Sequence, residues 1–161
     1  MKLLWPVVLC AAFSACAHAL ISKDLRQRAS SAPFGRVVSD PGMYTGETFI
    51  WGGTIVKTTT VKEGSRIEVL QNPLDKKDMV KSTDETQGRF IVATSKFLDP
   101  AVYAGGRLIT VAGRLEGVEK GKIDELEYSY PVLEALELRL YSRERRAYFM
   151  PSIFIGVGGS F

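Results

Sequence analysis

The chain has 161 residues, with 21 basic against 18 acidic side chains, a net charge of +3, and 45% apolar residues. That length suits one core of ordinary size, and the near balance of charge argues against nucleic acid as a partner, because phosphate binding needs concentrated positive charge. Two cysteines and one histidine, all within the first 18 residues, leave the rest of the chain without a disulfide, a thiol, or a histidine for a triad or a metal site.

Lys2 is followed by an almost unbroken apolar run over residues 3–13. The run matches the core of an export signal and is shorter than the roughly 20 residues of a membrane-spanning helix. Two cleavage patterns compete at its end. Ala15-Cys16-Ala17 and Ala17-His18-Ala19 both resemble an ordinary secretory site. Phe13-Ser14-Ala15-Cys16 resembles a bacterial lipobox, with Phe13 in place of the usual leucine. The lipobox is the better-supported reading: residues 1–15 leave, and Cys16 carries a diacylglycerol and an acylated amino terminus, so membrane lipid is the partner. Several acyl chains anchor where one alone does not. Ala17 after the cysteine, rather than aspartate, reads as transfer to the outer membrane of a Gram-negative cell. The 146 residues that remain carry a net charge of +2.

In chain order, residues 16–46 read as a lipid-anchored segment and linker. Residues 20–30 can form one or two helical turns with Leu20, Ile21 and Leu25 on one side, as a spacer or lid. Asp40-Pro41-Gly42 and Thr45-Gly46 are turn chemistry. A β-rich domain is expected over residues 47–141. Phe49 and Trp51 alternate with Thr48 and Ile50, and Gly52-Gly53 marks a bulge or a close crossing. Ile67 and Val69 then alternate with Arg66 and Glu68. Residues 72–87 are polar and aperiodic, as in a long exposed loop. Later strands are expected in residues 88–95, in residues 107–118, and in one or two from 122 onward. A helical turn near Asp99-Pro100 precedes Gly105-Gly106. The expected fold is mainly β: a small closed or partly open Greek-key barrel, OB-fold-like, with short helical segments.

The motifs WGGTIV (51–56), IEVLQNPLD (67–75), GRFIV (88–92), FLDPAVYAGGRLITVAG (97–113) and KIDELEYSYPV (122–132), downstream of the lipobox, resemble the Slp family of outer-membrane lipoproteins over residues 16–140. The resemblance implies an outer-membrane lipoprotein associated with starvation or stress. It brings no catalytic motif, and the one residue it transfers is Cys16, as lipid attachment site. Asp124 stands where the family pattern often has glycine.

No catalytic residue, metal site or cofactor is expected. His18 lies two residues from the proposed anchor, and no nucleophile elbow, phosphate loop or dinucleotide fingerprint occurs. Glu125 and Glu127, placed on one face of a strand, form a carboxylate pair that reads more readily as a solvated face. Trp51, Tyr128 and Tyr130 are candidates for a stacking face that takes a ligand, a glycan or an envelope partner, against the plainer reading that alternating aromatics build the core. Arg143, Arg145 and Arg146 either meet anionic headgroups or only keep the chain in solution. The apolar, glycine-rich end of residues 142–161 is read as a contact outside the barrel, with an envelope protein or the membrane surface, and an extra edge strand is the alternative. The functional order is therefore a non-catalytic envelope lipoprotein first, a ligand-binding OB-like module second, and an enzyme last.

Overall fold

The computed structural model describes residues 19–81 and 83–142. Alternation sets the strands. Ile67, Val69, Phe90 and Val92 are fully buried while their neighbours Arg66, Glu68, Arg89 and Ile91 are half-buried, the period of two expected of strands with one face on the core. The elements in order are α1 (Lys23–Arg28), α2 (Phe34–Ser39), a 3₁₀ turn (Pro41–Tyr44), β1 (Thr48–Val61), β2 (Gly64–Asn72), β3 (Arg89–Thr94), β4 (Leu108–Ile123) and β5 (Leu126–Leu140).

The five strands close into a barrel in the order β1-β2-β3-β5-β4. β1 is shared, pairing antiparallel with β4 from Thr48↔Arg114 to Thr54↔Leu108 and with β2 from Gly52↔Asn72 to Val61↔Gly64. Closure comes from a short parallel contact of β3 with β5, Ile91↔Val132 to Ala93↔Glu134. This order is that of the OB-fold.

Gly52 and Gly53 lie where β1 has neighbours on both sides. A Cβ on Gly53 would land on the Leu70 carbonyl oxygen, and one on Gly52 would run into the Leu74 side chain. The bulge in the β1–β2 ladder falls a little later, between Ile55 and Lys57. Close approach, not a bulge, is therefore what the two glycines serve.

The core is aromatic at one end. Phe49, Trp51 and Phe90 converge from the strands, and Phe34 of α2 enters over them, with ring centroids 4.8 Å from Trp51 and 6.1 Å from Phe90. Trp51 lies 5.1 Å from Phe49 and 5.3 Å from Phe90, in the tilted and edge-on arrangements aromatic rings favour. Val37, one turn after Phe34, is also fully buried in this cluster. The segment expected as linker thus supplies two side chains to the barrel interior. On the outer surface Ile21, just before α1, and Leu25 within it pack against Ala112 and Ile50.

Two expectations need correction in detail. Residues 72–87 are not uniformly exposed: Leu74 bridges to Val80, and Asp78 is buried. Glu125 sits in the turn between β4 and β5, so it does not share a strand face with Glu127; both are exposed. In the same turn Asp124 has φ +53°. A two-residue hairpin loop needs positive φ at its first position. Glycine fits there freely, and aspartate is among the few side chains that tolerate it.

Candidate functional site

Beside the aromatic end, a cleft of about 440 Å³ opens between residues 30–34, β1 and the end of β2. Trp51 and Phe34 line it on the apolar side, and Gln71, Asn72 and Gln87 bring amides to its rim. These amides also hold the walls. Gln87 N–H donates to Gln71 Oε1 at 3.0 Å, Gly35 N–H donates to Gln87 Oε1 at 2.9 Å, and Asn72 Nδ2 donates to the Glu85 carbonyl at 3.1 Å. Trp51 itself is 6% exposed, so little of its ring is open to the cleft.

The other two predicted aromatics lie elsewhere. Beyond the bulge at Leu115/Gly117, where Gly117 takes φ +139°, the far half of the β4–β5 hairpin crosses the outer face of β2. There Arg66 pairs with Glu119, and the Tyr130 hydroxyl lies 3.3 Å from Glu68 Oε1 and 3.2 Å from the Lys122 carbonyl. Arg89 Nη1 donates to the same Glu68 oxygen at 2.7 Å, and Arg89 N–H donates to the Tyr128 hydroxyl, also at 2.7 Å. The two tyrosine rings stand edge to face, 4.6 Å apart. Burial, together with the Glu68 carboxylate, pushes the Tyr130 phenol above its usual pKa. Tyr128 and Tyr130 therefore pack on each other, Tyr130 over β2 at Glu68 and Tyr128 at the start of β3, while Trp51 packs inside the barrel. The three aromatics do not form a single face, and the hairpin overlies the strand that OB modules commonly use for ligands.

A third site was not foreseen. The N-terminal strap grips the loop after β2. Leu20 N–H donates to the Lys77 carbonyl at 3.1 Å, Arg26 Nη2 donates to the Lys76 carbonyl at 2.9 Å, and Arg26 Nε stands 3.1 Å from Asp78 Oδ2. Below them the Thr110 hydroxyl donates to the Asp78 carbonyl at 2.8 Å, and the Tyr141 hydroxyl accepts the Val80 N–H at 2.7 Å. At the start of α1, Ser22 N–H donates to Glu137 Oε2 at 3.1 Å. Burial works against the Glu137 charge, yet Ser22 and Arg139 together hold its pKa below the usual carboxylate value. Arg26 and Asp78 are 52 positions apart, and neither carries a local pattern that announces the pair.

Two carboxylates of this loop are driven in opposite directions. The Met79 and Lys77 N–H groups, at 2.9 and 2.7 Å, hold Asp75 below 3.8, the unperturbed aspartate value. Desolvation pushes Asp78 above 3.8 despite the charge of Arg26. The folded state thus binds the Asp78 proton more tightly than the unfolded chain does. Its contribution to stability is fully present below 3.8 and is lost as pH rises through the folded value. The stability of the wild type relative to Asp78→Asn is expected to fall as pH rises through that window. Urea unfolding of both proteins at a series of pH values checks this, and a wild type that gains stability relative to Asp78→Asn as pH rises contradicts it.

Cys16, His18, Arg143, Arg145, Arg146 and the end of the tail lie outside the described residues. Among the described residues no group of three His, Cys, Asp or Glu side chains is placed to hold a metal ion. No helix among them is long and apolar enough to cross a membrane.

The fold and these sites define a class: a small OB-type barrel with an aromatic core, a helical cap over one end, and an N-terminal strap locked to its flank. Within that class the chain belongs to the outer membrane lipoprotein Slp family, whose model matches residues 13–155. It is accordingly a lipoprotein of the outer membrane.

Three relatives agree with that assignment. The chain is 39% identical over 92 residues to an uncharacterized protein of Haemophilus influenzae, covering 56% of this chain and 50% of that one. It is 31% identical over 99 residues to the uncharacterized lipoprotein YeaY of Escherichia coli, covering 62% and 51%. With the outer membrane protein Slp of Escherichia coli it shares 29% over 97 residues, covering 60% and 51%. The match spans about half the length of each of these relatives. Among solved structures, the small single-stranded DNA-binding protein of Streptomyces coelicolor superposes with a TM-score of 0.38 at 16% identity, over 62% of this chain and 97% of that one. An overlap that loose carries no argument about function.

Proposed function

We propose that the protein is a non-catalytic envelope lipoprotein, anchored through acyl chains on Cys16, which holds its barrel at the outer membrane and acts by binding or structural support during starvation or stress. The observation that carries this reading is the family match, which begins at residue 13 and so takes in the Phe13-Ser14-Ala15-Cys16 stretch. Residues 1–15 then leave as signal, residues 16–46 tie the anchor to the barrel of residues 47–141, and residues 142–161 contact an envelope protein. Cys16→Ser is expected to abolish incorporation of labelled palmitate and to move the protein from the membrane to the soluble fraction. A wild type that takes up no label defeats the reading. Deletion of residues 150–161 is the matching test of the tail: envelope crosslinks disappear while the melting temperature holds.

A second reading is favoured by the cleft. An OB-like module with an aromatic lining and three rim amides suits a small polar ligand such as a glycan. Trp5 leaves with the signal, so Trp51 is the one tryptophan in residues 16–161 and reports on that cleft alone. Oligosaccharide binding is expected to shift its fluorescence. A flat response across a panel of oligosaccharides removes this reading.

A further inference from the structure

The strap and the loop it grips make one basic surface. Lys23 on α1 and Lys76, Lys77 and Lys81 on the loop are exposed, and they form no ion pair with the described residues. Asp24 pairs with Arg28 and Asp78 with Arg26, while Asp75, held by backbone N–H groups, keeps its charge beside Lys77 and Lys81. Lys23, Arg26, Arg28, Lys76, Lys77 and Lys81 therefore stand against three carboxylates, and the surface keeps a positive excess. The chain also leaves the barrel among them, since the first backbone bond of the strap joins Leu20 to Lys77.

Cys16 precedes Leu20 by only four positions, a reach of about 14 Å when fully extended. The strap is not a slack tether, because Ile21 is 2% and Leu25 9% exposed, and Ser22 is bonded to Glu137. A lipid on Cys16 must then hold this flank within that distance of the bilayer as an upper bound, under two Debye lengths of about 8 Å each at physiological salt. We infer that Lys23, Lys76, Lys77 and Lys81 form the membrane-facing surface of the barrel and lie against anionic phospholipid headgroups. The inference rests on acylation at Cys16 as read above. The turn at Asp124 and Glu125, at the other end of β4 from the strap, then points away from the bilayer.

The test uses the full chain matured in a Gram-negative host and reconstituted in phosphatidylcholine vesicles, with or without phosphatidylglycerol, containing a headgroup-attached quencher. A fluorophore at Lys77→Cys is expected to be quenched, more strongly with phosphatidylglycerol, and one at Glu125→Cys is not. Equal quenching at both positions, in protein whose N-terminal peptide mass shows the acyl chains, overturns the inference. A peptide mass without acyl chains defeats the anchoring reading instead, and a second arm then judges the surface alone. In that arm the Cys16→Ser chain binds phosphatidylglycerol vesicles in a salt-sensitive way, and combining Lys76→Glu, Lys77→Glu and Lys81→Glu weakens binding at least about tenfold. Unchanged binding by the triple variant, with an unchanged circular dichroism spectrum, rules the surface out.

Discussion

Gly53→Ala is expected to prevent the barrel from forming. The added methyl group would overlap the Leu70 carbonyl oxygen, a backbone atom in the β1–β2 ladder that cannot swing aside. At Gly53 the strand is also bonded on its other edge, to Ile109 of β4, so relief on one side strains the other. Losses above about 4 kcal/mol are unusual for a single substitution, and backbone displacement within a shared strand belongs among them. Against a typical domain stability of about 5–15 kcal/mol, that leaves little or no folded protein. Gly42→Ala is the control, since its nearest neighbour would be 3.9 Å away. Far-UV circular dichroism and urea unfolding of both variants decide the matter. A Gly53→Ala protein that unfolds at the wild-type midpoint would show that β1 is not held as described.

Phe34→Ala is expected to cost about 3–5 kcal/mol, the range for removing a buried phenylalanine and leaving its cavity. Phe34 is 5% exposed and touches both Trp51 and Phe90, so the void would open at the aromatic end of the core. α2 has six residues and gains little from helix propensity, being shorter than an isolated helix can sustain. The phenylalanine and Val37 are what hold it down. The variant should therefore lose the cap as well as stability, and Trp51 emission should shift to the red as water reaches the cleft. Met43→Ala, at a position 72% exposed, is expected to change stability by less than about 0.5 kcal/mol. Equal midpoints for the two variants would mean that α2 does not seal the barrel.

Much of the barrel was legible because its strands obey a local rule. Ile67 and Val69 alternate with charged neighbours, and Gly52-Gly53 announces a tight crossing within the strand itself. What escaped notice depends on contacts across long separations. α2 has too few residues to show a helical period, and only Pro33 before Phe34 hints at a helix start. Asp78 sits in a run of charged residues, so nothing nearby suggests burial; α1 and β4 cover it from far along the chain. Tyr128, Tyr130 and Val132 do share a face, as their spacing implies. That face turns onto β2 and the start of β3 because the hairpin bends at Gly117, and a Cβ at Gly121 would press on the Tyr130 ring. The glycines were the available signal, but they fix a bend without saying where it leads.

The strap also sets an order of assembly. Its partners are scattered toward the other end of the chain: Leu20 meets Lys77, and Ser22 meets Glu137 across 115 positions. Joining such distant points must wait until the intervening loops have closed, an entropic cost that slows folding in proportion to how non-local the contacts are. The strap is thus among the first segments to be made and the last to complete its seat. Until β5 has closed on β3 and β4, Ser22 lacks its Glu137 partner, so the strap acquires its full set of bonds only on completion of the fold.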